Sequence, residues 1–527
     1  MANIKMYVAG SVAYCMLNLM PVGAFAQDKT PPSAVDNAMF FQSEVHDADD
    51  CQLSIDDAGN ISFSNGAPSR AASCPDATSW KALFEGIRSE FWQNWAFDEQ
   101  TFPTKPLPIC SADGADPSVC CDPTATTNPG YDEANPGIHC PFFRGDHPQA
   151  TDNSTSPPGS FRGGHGDPVG QVGTARTLRQ KTAEIVYRNK PMFEHIFENA
   201  LYSQNGLARA FAKAEETATK QLPFRLKGTT VEFPTDAVVF KVDWLHQDHM
   251  LELGLIQSTD GNGNQLNPPQ NPDAPYVTMM INQSLGDNNA ETFKPGLHYL
   301  LGFAIATKDL PDWLWTSFEH VTLPGRCDFN GCNDSFGYLN PEAPDGTYQN
   351  FIPPHAVPDN LLGGFEVFEL GKKYPGGDLT PALATLYEKL GFNKVQDDDP
   401  NTPSVDDSGW KNYRLKGIQN QFTTAEGFPT IMGNIVSEGG FVNTSSCMTC
   451  HTQASVDAEG KMGLTGAGFS VRLNRLGYRE SERGVPELSM FYSPGTATPR
   501  VLRTDYMWGT LFASPEISAE ELKKAPQ

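Results

Sequence analysis

No run of lysine and arginine occurs in this sequence, and its 38 basic residues stand against 63 acidic ones, a formal charge of −25. No basic run is therefore available to neutralise phosphates, which argues against nucleic acid and anionic lipid and favours cationic partners. No transmembrane span follows the N-terminus. A Gly-x-Ser-x-Gly elbow, a phosphate loop and a dinucleotide fingerprint are missing beside suitable elements, so those enzyme classes lose most of their ground. Internal repeats are missing too. Hydrophobic residues make up only 39% of the chain while Gly (47) and Pro (42) are plentiful, which predicts ordered but irregular structure with long loops.

What is present begins with an export signal. Lys5 supplies a positive start, residues 6–20 a mostly apolar stretch, and Ala24-Phe25-Ala26 a small-x-small cleavage site before Gln27. The apolar stretch is shorter than the roughly 20 residues that an uncleaved anchor needs. A periplasmic mature chain starting after Ala26 is expected. Of 11 cysteines, Cys15 leaves with the signal, and Cys447 and Cys450 share one motif. The even remainder suggests disulfides. Near-neighbour pairing joins Cys51 with Cys74 and Cys327 with Cys332, and forms two bridges among Cys110, Cys120, Cys121 and Cys140.

The fold class read from the pattern is α+β. Residues 27–228 read as a disulfide-pinned loop and helix region. In it Leu83, Ile87, Phe91 and Trp92 follow helical spacing behind a cap at Ser79, and a second helical zone at 174–221 is broken at Pro191 and Gly206. Residues 229–395 read as β-rich, an antiparallel sheet or sandwich, with strand-like runs at 229–245, 276–281, 298–306 and 313–320. An acidic, proline-stiffened linker is expected at 396–409, since it can neither bury apolar surface nor propagate a helix. Residues 410–527 then form a small, mainly α C-terminal domain.

Chemistry concentrates in Cys447-Met448-Thr449-Cys450-His451, the Cys-x-x-Cys-His attachment signature of c-type haem. Two thiols at this spacing can add to the porphyrin's two vinyl groups from one face, and the adjacent His is delivered to the iron. A thioredoxin-like pair would want a strand-to-helix junction, which the loop-like approach at 439–445 does not provide, and zinc would want a second ligand pair nearby. The reading is one covalent haem c held by Cys447 and Cys450, with His451 as proximal iron ligand.

With those residues in view, the tail at 405–527 resembles bacterial cytochrome c domains. The stretches Trp313-Leu314-Trp315-Thr316-Ser317-Phe318-Glu319-His320, 324–328 and Tyr413-Arg414-Leu415-Lys416-Gly417 are similar to exported single-haem proteobacterial proteins of the cytochrome c family. That group has no assigned function, so the resemblance implies a cofactor and no substrate. Small cytochromes place a Met several tens of residues after the His. Met507 and Met490 are the candidates for a distal iron ligand here, and Met462 is too close. Met507 is preferred because it precedes a final helix capped at Ser514. A Met opposite His closes the iron to substrate, whereas an open position permits peroxide or dioxygen chemistry.

His246, His249, His298, His320 and Glu319 lie in the β-rich region and could form a metal site or a distal haem pocket; structural histidines are the stronger reading. Trp313, Trp315 and Phe318 read most simply as core, and 260–264 as a turn rather than a calcium loop. Electron transfer with a redox partner protein is the leading function. A haem oxidoreductase of peroxidase or oxygenase type, with a substrate pocket between the β-rich region and the haem, is the alternative, and a haem sensor or assembly factor is a third.

Overall fold

The computed structural model describes Asp47 and residues 50–524 apart from 68, 112–115, 117, 126, 132–136, 148–181, 220–227, 283–293, 324–331, 340–350, 353–377, 395–398, 426, 428, 439–444, 464–483, 494 and 496–497. The signal segment, Cys327 with its expected bridge to Cys332, and the 324–328 stretch lie outside the described residues.

Seven strands form one antiparallel sheet: β1 Ala96–Phe97, β2 Thr182–Arg188, β3 Val238–His246, β4 Thr278–Ile281, β5 Gly296–Thr307, β6 Leu314–His320 and β7 Tyr413–Gln419. Their order is β7-β6-β5-β3-β2-β1, with β4 also paired to β5. Side chains alternate between the two faces of a strand, and the two faces have different partners. One carries Phe240, Phe303 and Phe318 from three neighbouring strands, with Phe303 and Phe318 stacked at 5.2 Å. Helix α1, Pro75–Arg88, lies on this face: Trp80 meets Phe318 edge-on at 5.1 Å. Gly86 permits the approach, since a Cβ there would sit 2.4 Å from the Phe240 ring.

The other face carries polar side chains and takes the C-terminal part of the chain. Asn434 Nδ2 donates to Ser317 Oγ at 3.2 Å, Ile435 N–H to Glu319 at 2.7 Å, and Ser437 Oγ to Asp243 at 2.7 Å. The α+β class stands, but the layout is not one of successive domains. The sheet takes β1 and β2 from the 27–228 region, β3 to β6 from 229–395 and β7 from the tail, so the expected boundary at 410 falls inside one hydrogen-bonded sheet. Nor is the described part of the 396–409 linker loose. Asn401 and Pro400 carbonyls accept from Met280 N–H and Thr278 Oγ1, and Trp410 Nε1 donates to Ser404. Among the described residues of 410–527, the α-helices are Cys447–His451 and Ala519–Lys524, so the described part of the tail is not mainly α. The last is capped by Ser518, which exchanges hydrogen bonds with Glu521, and not by Ser514.

Other local expectations shift as well. Thr182–Arg188, inside the expected second helical zone, is a strand with Ala183, Ile185 and Tyr187 buried at alternate positions. Pro191 opens the helix Lys190–Glu198, where its fixed φ suits the first turn, and Gly206 sits in the first turn of Gln204–Thr219. Helix α1 starts at Pro75, four residues before Ser79, whose Oγ donates back to the Pro75 carbonyl at 2.8 Å. The cap comes from far upstream: Asp47 accepts from Asp76 N–H at 2.8 Å and Ala77 N–H at 2.9 Å.

That cap belongs to a buried acidic cluster. Asp76 Oδ2 accepts from the Ser335 N–H at 2.7 Å and from its hydroxyl. Asp334 accepts from Trp80 Nε1 at 3.1 Å and from Phe336 and Gly337 N–H at 3.1 and 2.7 Å. Burial, and then mutual repulsion, pushes the carboxyl of Asp47 up to about 9 and that of Asp334 to about 8; burial raises Asp76 to about 6.

Disulfides join Cys51–Cys74, Cys110–Cys120 and Cys121–Cys140, which bears out the first near-neighbour pairing and resolves the group of four. Such bonds suit an oxidising, exported compartment. No helix of the described residues is long and apolar enough to cross a membrane.

Candidate haem-attachment site

Strand β7 positions the motif directly. Its last residue, Gln419, is fully buried; Nε2 donates to Ser446 Oγ and Thr430 Oγ1, both at 2.8 Å, and Oε1 accepts from Met448 N–H at 3.0 Å. Ser446 in turn caps the helix Cys447–His451 by accepting from Thr449 N–H at 3.1 Å. Met448 and Thr449 are buried, and Thr449 Oγ1 donates to the Gly484 carbonyl at 2.7 Å. Cys450 and His451 stand three and four positions after Cys447, which on a helical turn gathers all three side chains on one face. That face looks outward: Cys450 is exposed, Cys447 and His451 are half-buried. The Cys447 thiol donates weakly to the Met432 carbonyl at 3.6 Å.

His451 is oriented from the tail and from the sheet. Its Nδ1 lies 2.9 Å from the carbonyl oxygen of Tyr506. A carbonyl only accepts, so Nδ1 carries the proton and the lone pair of the neutral imidazole is on Nε2. The Trp315 ring of β6 packs against the imidazole with centroids 4.4 Å apart. Asp312 ties both neighbours together, its carbonyl accepting from Trp315 Nε1 at 3.1 Å and its carboxylate from the Tyr506 hydroxyl at 2.8 Å. Metal-ligating histidines are held in this manner, through the ring nitrogen that does not face the metal. The residues present thus fit a c-type haem: two thiols and an Nε2 lone pair on one face of a capped turn.

The two candidate methionines fare differently. Tyr506 reaches the Nδ1 edge of the imidazole, and Met507 begins at that same peptide. Met507 is buried, its carbonyl accepting from Thr504 Oγ1 at 2.9 Å. Met490 closes the turn Leu488–Met490 and packs against Phe491, Tyr492 and Val501.

Three of the five weaker candidates do meet. His246 and His298 are register partners with ring centroids 5.2 Å apart, and His249 lies 6.3 Å from His246. Both ring nitrogens of His246 face the main chain, Nδ1 the Asp248 N–H and Nε2 the Pro295 carbonyl. His320 lies apart, stacked on Tyr276 at 3.6 Å, and Glu319 accepts from the chain at Ile435. Burial pushes His298 and His320 down to about 3, so both are neutral. Residues 260–264 make the turn of a hairpin, where Asp260 accepts from Asn262 and Asn264.

Sequence reasoning missed Gln419 and Tyr506, and read Trp315 most simply as core. A strand ending in glutamine is no signal, and the Tyr506 contribution is a carbonyl, which every residue has. Compared with protein families, curated proteins and solved structures, the chain matches none of them.

Proposed function

We propose that the chain is a periplasmic cytochrome of the c type, which holds one haem c through Cys447 and Cys450, takes His451 as proximal ligand and passes single electrons to or from a partner protein. The observation that carries this reading is the Nδ1 bond from His451 to Tyr506, because it fixes the tautomer that a metal-bound imidazole needs. A haem held there would supply a one-electron couple at its iron. The chain's own residues do the rest. Cys447 and Cys450 would anchor the group, His451 would offer Nε2, and Trp315 packs against the imidazole. Exposure of Cys450 leaves that edge within reach of a partner, and the chain's negative charge favours a basic one. The disulfides and the signal-like residues 1–26 support placement in the periplasm.

The alternative, a haem oxidoreductase, is favoured by one observation. The motif's outer face is accessible, with Cys450 exposed and His451 half-buried. Absorption spectra of the oxidised and reduced protein, with and without carbon monoxide, separate the two. Electron transfer predicts a low-spin, six-coordinate ferrous state that does not take up carbon monoxide at once. A five-coordinate, high-spin state that binds it immediately would replace electron transfer with the oxidoreductase reading.

A further inference from the structure

Among the described residues, five other than glycine have left-handed backbone, and three of them meet behind His451: Trp313 at φ 64°, Asp505 at 47° and Tyr506 at 71°. Backbone of this kind is unfavourable and persists only where surrounding contacts impose it. The contacts converge on the Asp505 carboxylate. Oδ1 accepts from Lys308 Nζ at 2.7 Å and from Trp313 Nε1 at 3.2 Å, and Oδ2 from Phe233 N–H at 2.8 Å. Lys308 is itself held, donating to the Pro311 carbonyl at 2.6 Å, and is only 9% exposed. Three separate segments, one before β3, one after β5 and one entering β6, therefore grip a single side chain. The next residue along turns its carbonyl to His451 Nδ1.

We infer that Asp505, held by Lys308, is a positioning residue for His451: its carboxylate imposes the left-handed pair Asp505-Tyr506 and thereby sets the hydrogen bond at Nδ1. The inference rests on the haem reading for its redox consequence alone. A well-formed Nδ1–H bond makes the imidazole a stronger donor and favours oxidised iron, so loosening the clamp raises the midpoint potential.

The test uses the full chain carrying Lys308→Met, which breaks the clamp without touching the loop or the motif. Asp505→Gly is the second variant, since glycine keeps the left-handed backbone accessible while deleting the carboxylate. Two quantities are read: the haem midpoint potential, and the His451 tautomer by nitrogen-15 NMR of histidine-labelled protein made haem-free by Cys447→Ala and Cys450→Ala. Expected are an Nδ1–H tautomer in the parent, its loss in both variants, an upward shift in potential, and recovery of both readouts in Lys308→Arg. Unchanged tautomer and potential in the variants, or an Nε2–H tautomer in the parent, would overturn the inference. A chain that never acquires haem defeats the proposed function instead, and the tautomer measurement still decides the role of Asp505.

Discussion

A chain carrying Cys447→Ala and Cys450→Ala is expected to fold, pass into the export compartment and retain no haem once denatured, while the parent chain keeps its haem through the same treatment. Two effects of different size are at stake. Neither thiol is a fully buried core residue: Cys450 is exposed, and Cys447 is half-buried at the edge of the core, its thiol bonding weakly to the Met432 carbonyl. Removing them costs about 1 kcal/mol or less, within the range of surface changes. The turn itself is held by Gln419, Ser446 and Thr449, which are untouched. Covalent attachment through the two thioethers, by contrast, is lost entirely. Haem-staining of the denatured chain with circular dichroism of the native one reads both. Staining that survives in the variant would mean the haem is held elsewhere.

Asp334→Asn is expected to stabilise the protein at pH 8 to 9 and to flatten its stability profile. The folded state raises the carboxyls of Asp47, Asp76 and Asp334 to about 9, 6 and 8, chiefly because burial disfavours their charge. A group whose folded value is raised binds its proton more tightly in the native state. Its stabilising contribution is complete below about pH 4 and is lost as pH rises through the folded value. The parent should therefore lose stability from pH 5 to 9. Asparagine at 334 keeps an oxygen for Trp80, Phe336 and Gly337 and removes one ionisation. A tenfold difference in proton affinity between folded and unfolded chain corresponds to about 1.4 kcal/mol. With three carboxyls sharing the penalty, a gain on the order of 2 kcal/mol at pH 9 is expected, read by denaturant titration at pH 5, 7 and 9. Parallel profiles for parent and variant would contradict it.

Much of the sheet could be read from local pattern, because Val238, Phe240 and Val242 or Leu314 to His320 carry the strand signal in themselves. The strand at Thr182–Arg188 carries it too, at Ala183, Ile185 and Tyr187, but it sits next to two real helices that set the period of a wider window. The helix start at Pro75 was hidden for another reason: its capping carboxylate, Asp47, is 29 residues upstream of Asp76. Tyr413–Gln419 resembles the opening of a tail domain, and only its pairing with Leu314–His320 makes it the sheet's edge. The motif was legible because Cys447, Cys450 and His451 are close in sequence. Its surroundings were not, since Trp315, Gln419 and the Tyr506 carbonyl come from three distant segments and contribute contacts that residue type does not announce.

The central claim is a covalent haem at Cys447 and Cys450, and the most direct test is the intact mass of the exported parent chain after denaturation, alongside its alkaline pyridine spectrum. A mass increase of one haem per chain is predicted, with the spectrum of a porphyrin whose two vinyl groups are both saturated by thioether bonds. A mass equal to that of the processed polypeptide less two hydrogens beyond its other disulfides, showing Cys447 bonded to Cys450, would contradict it.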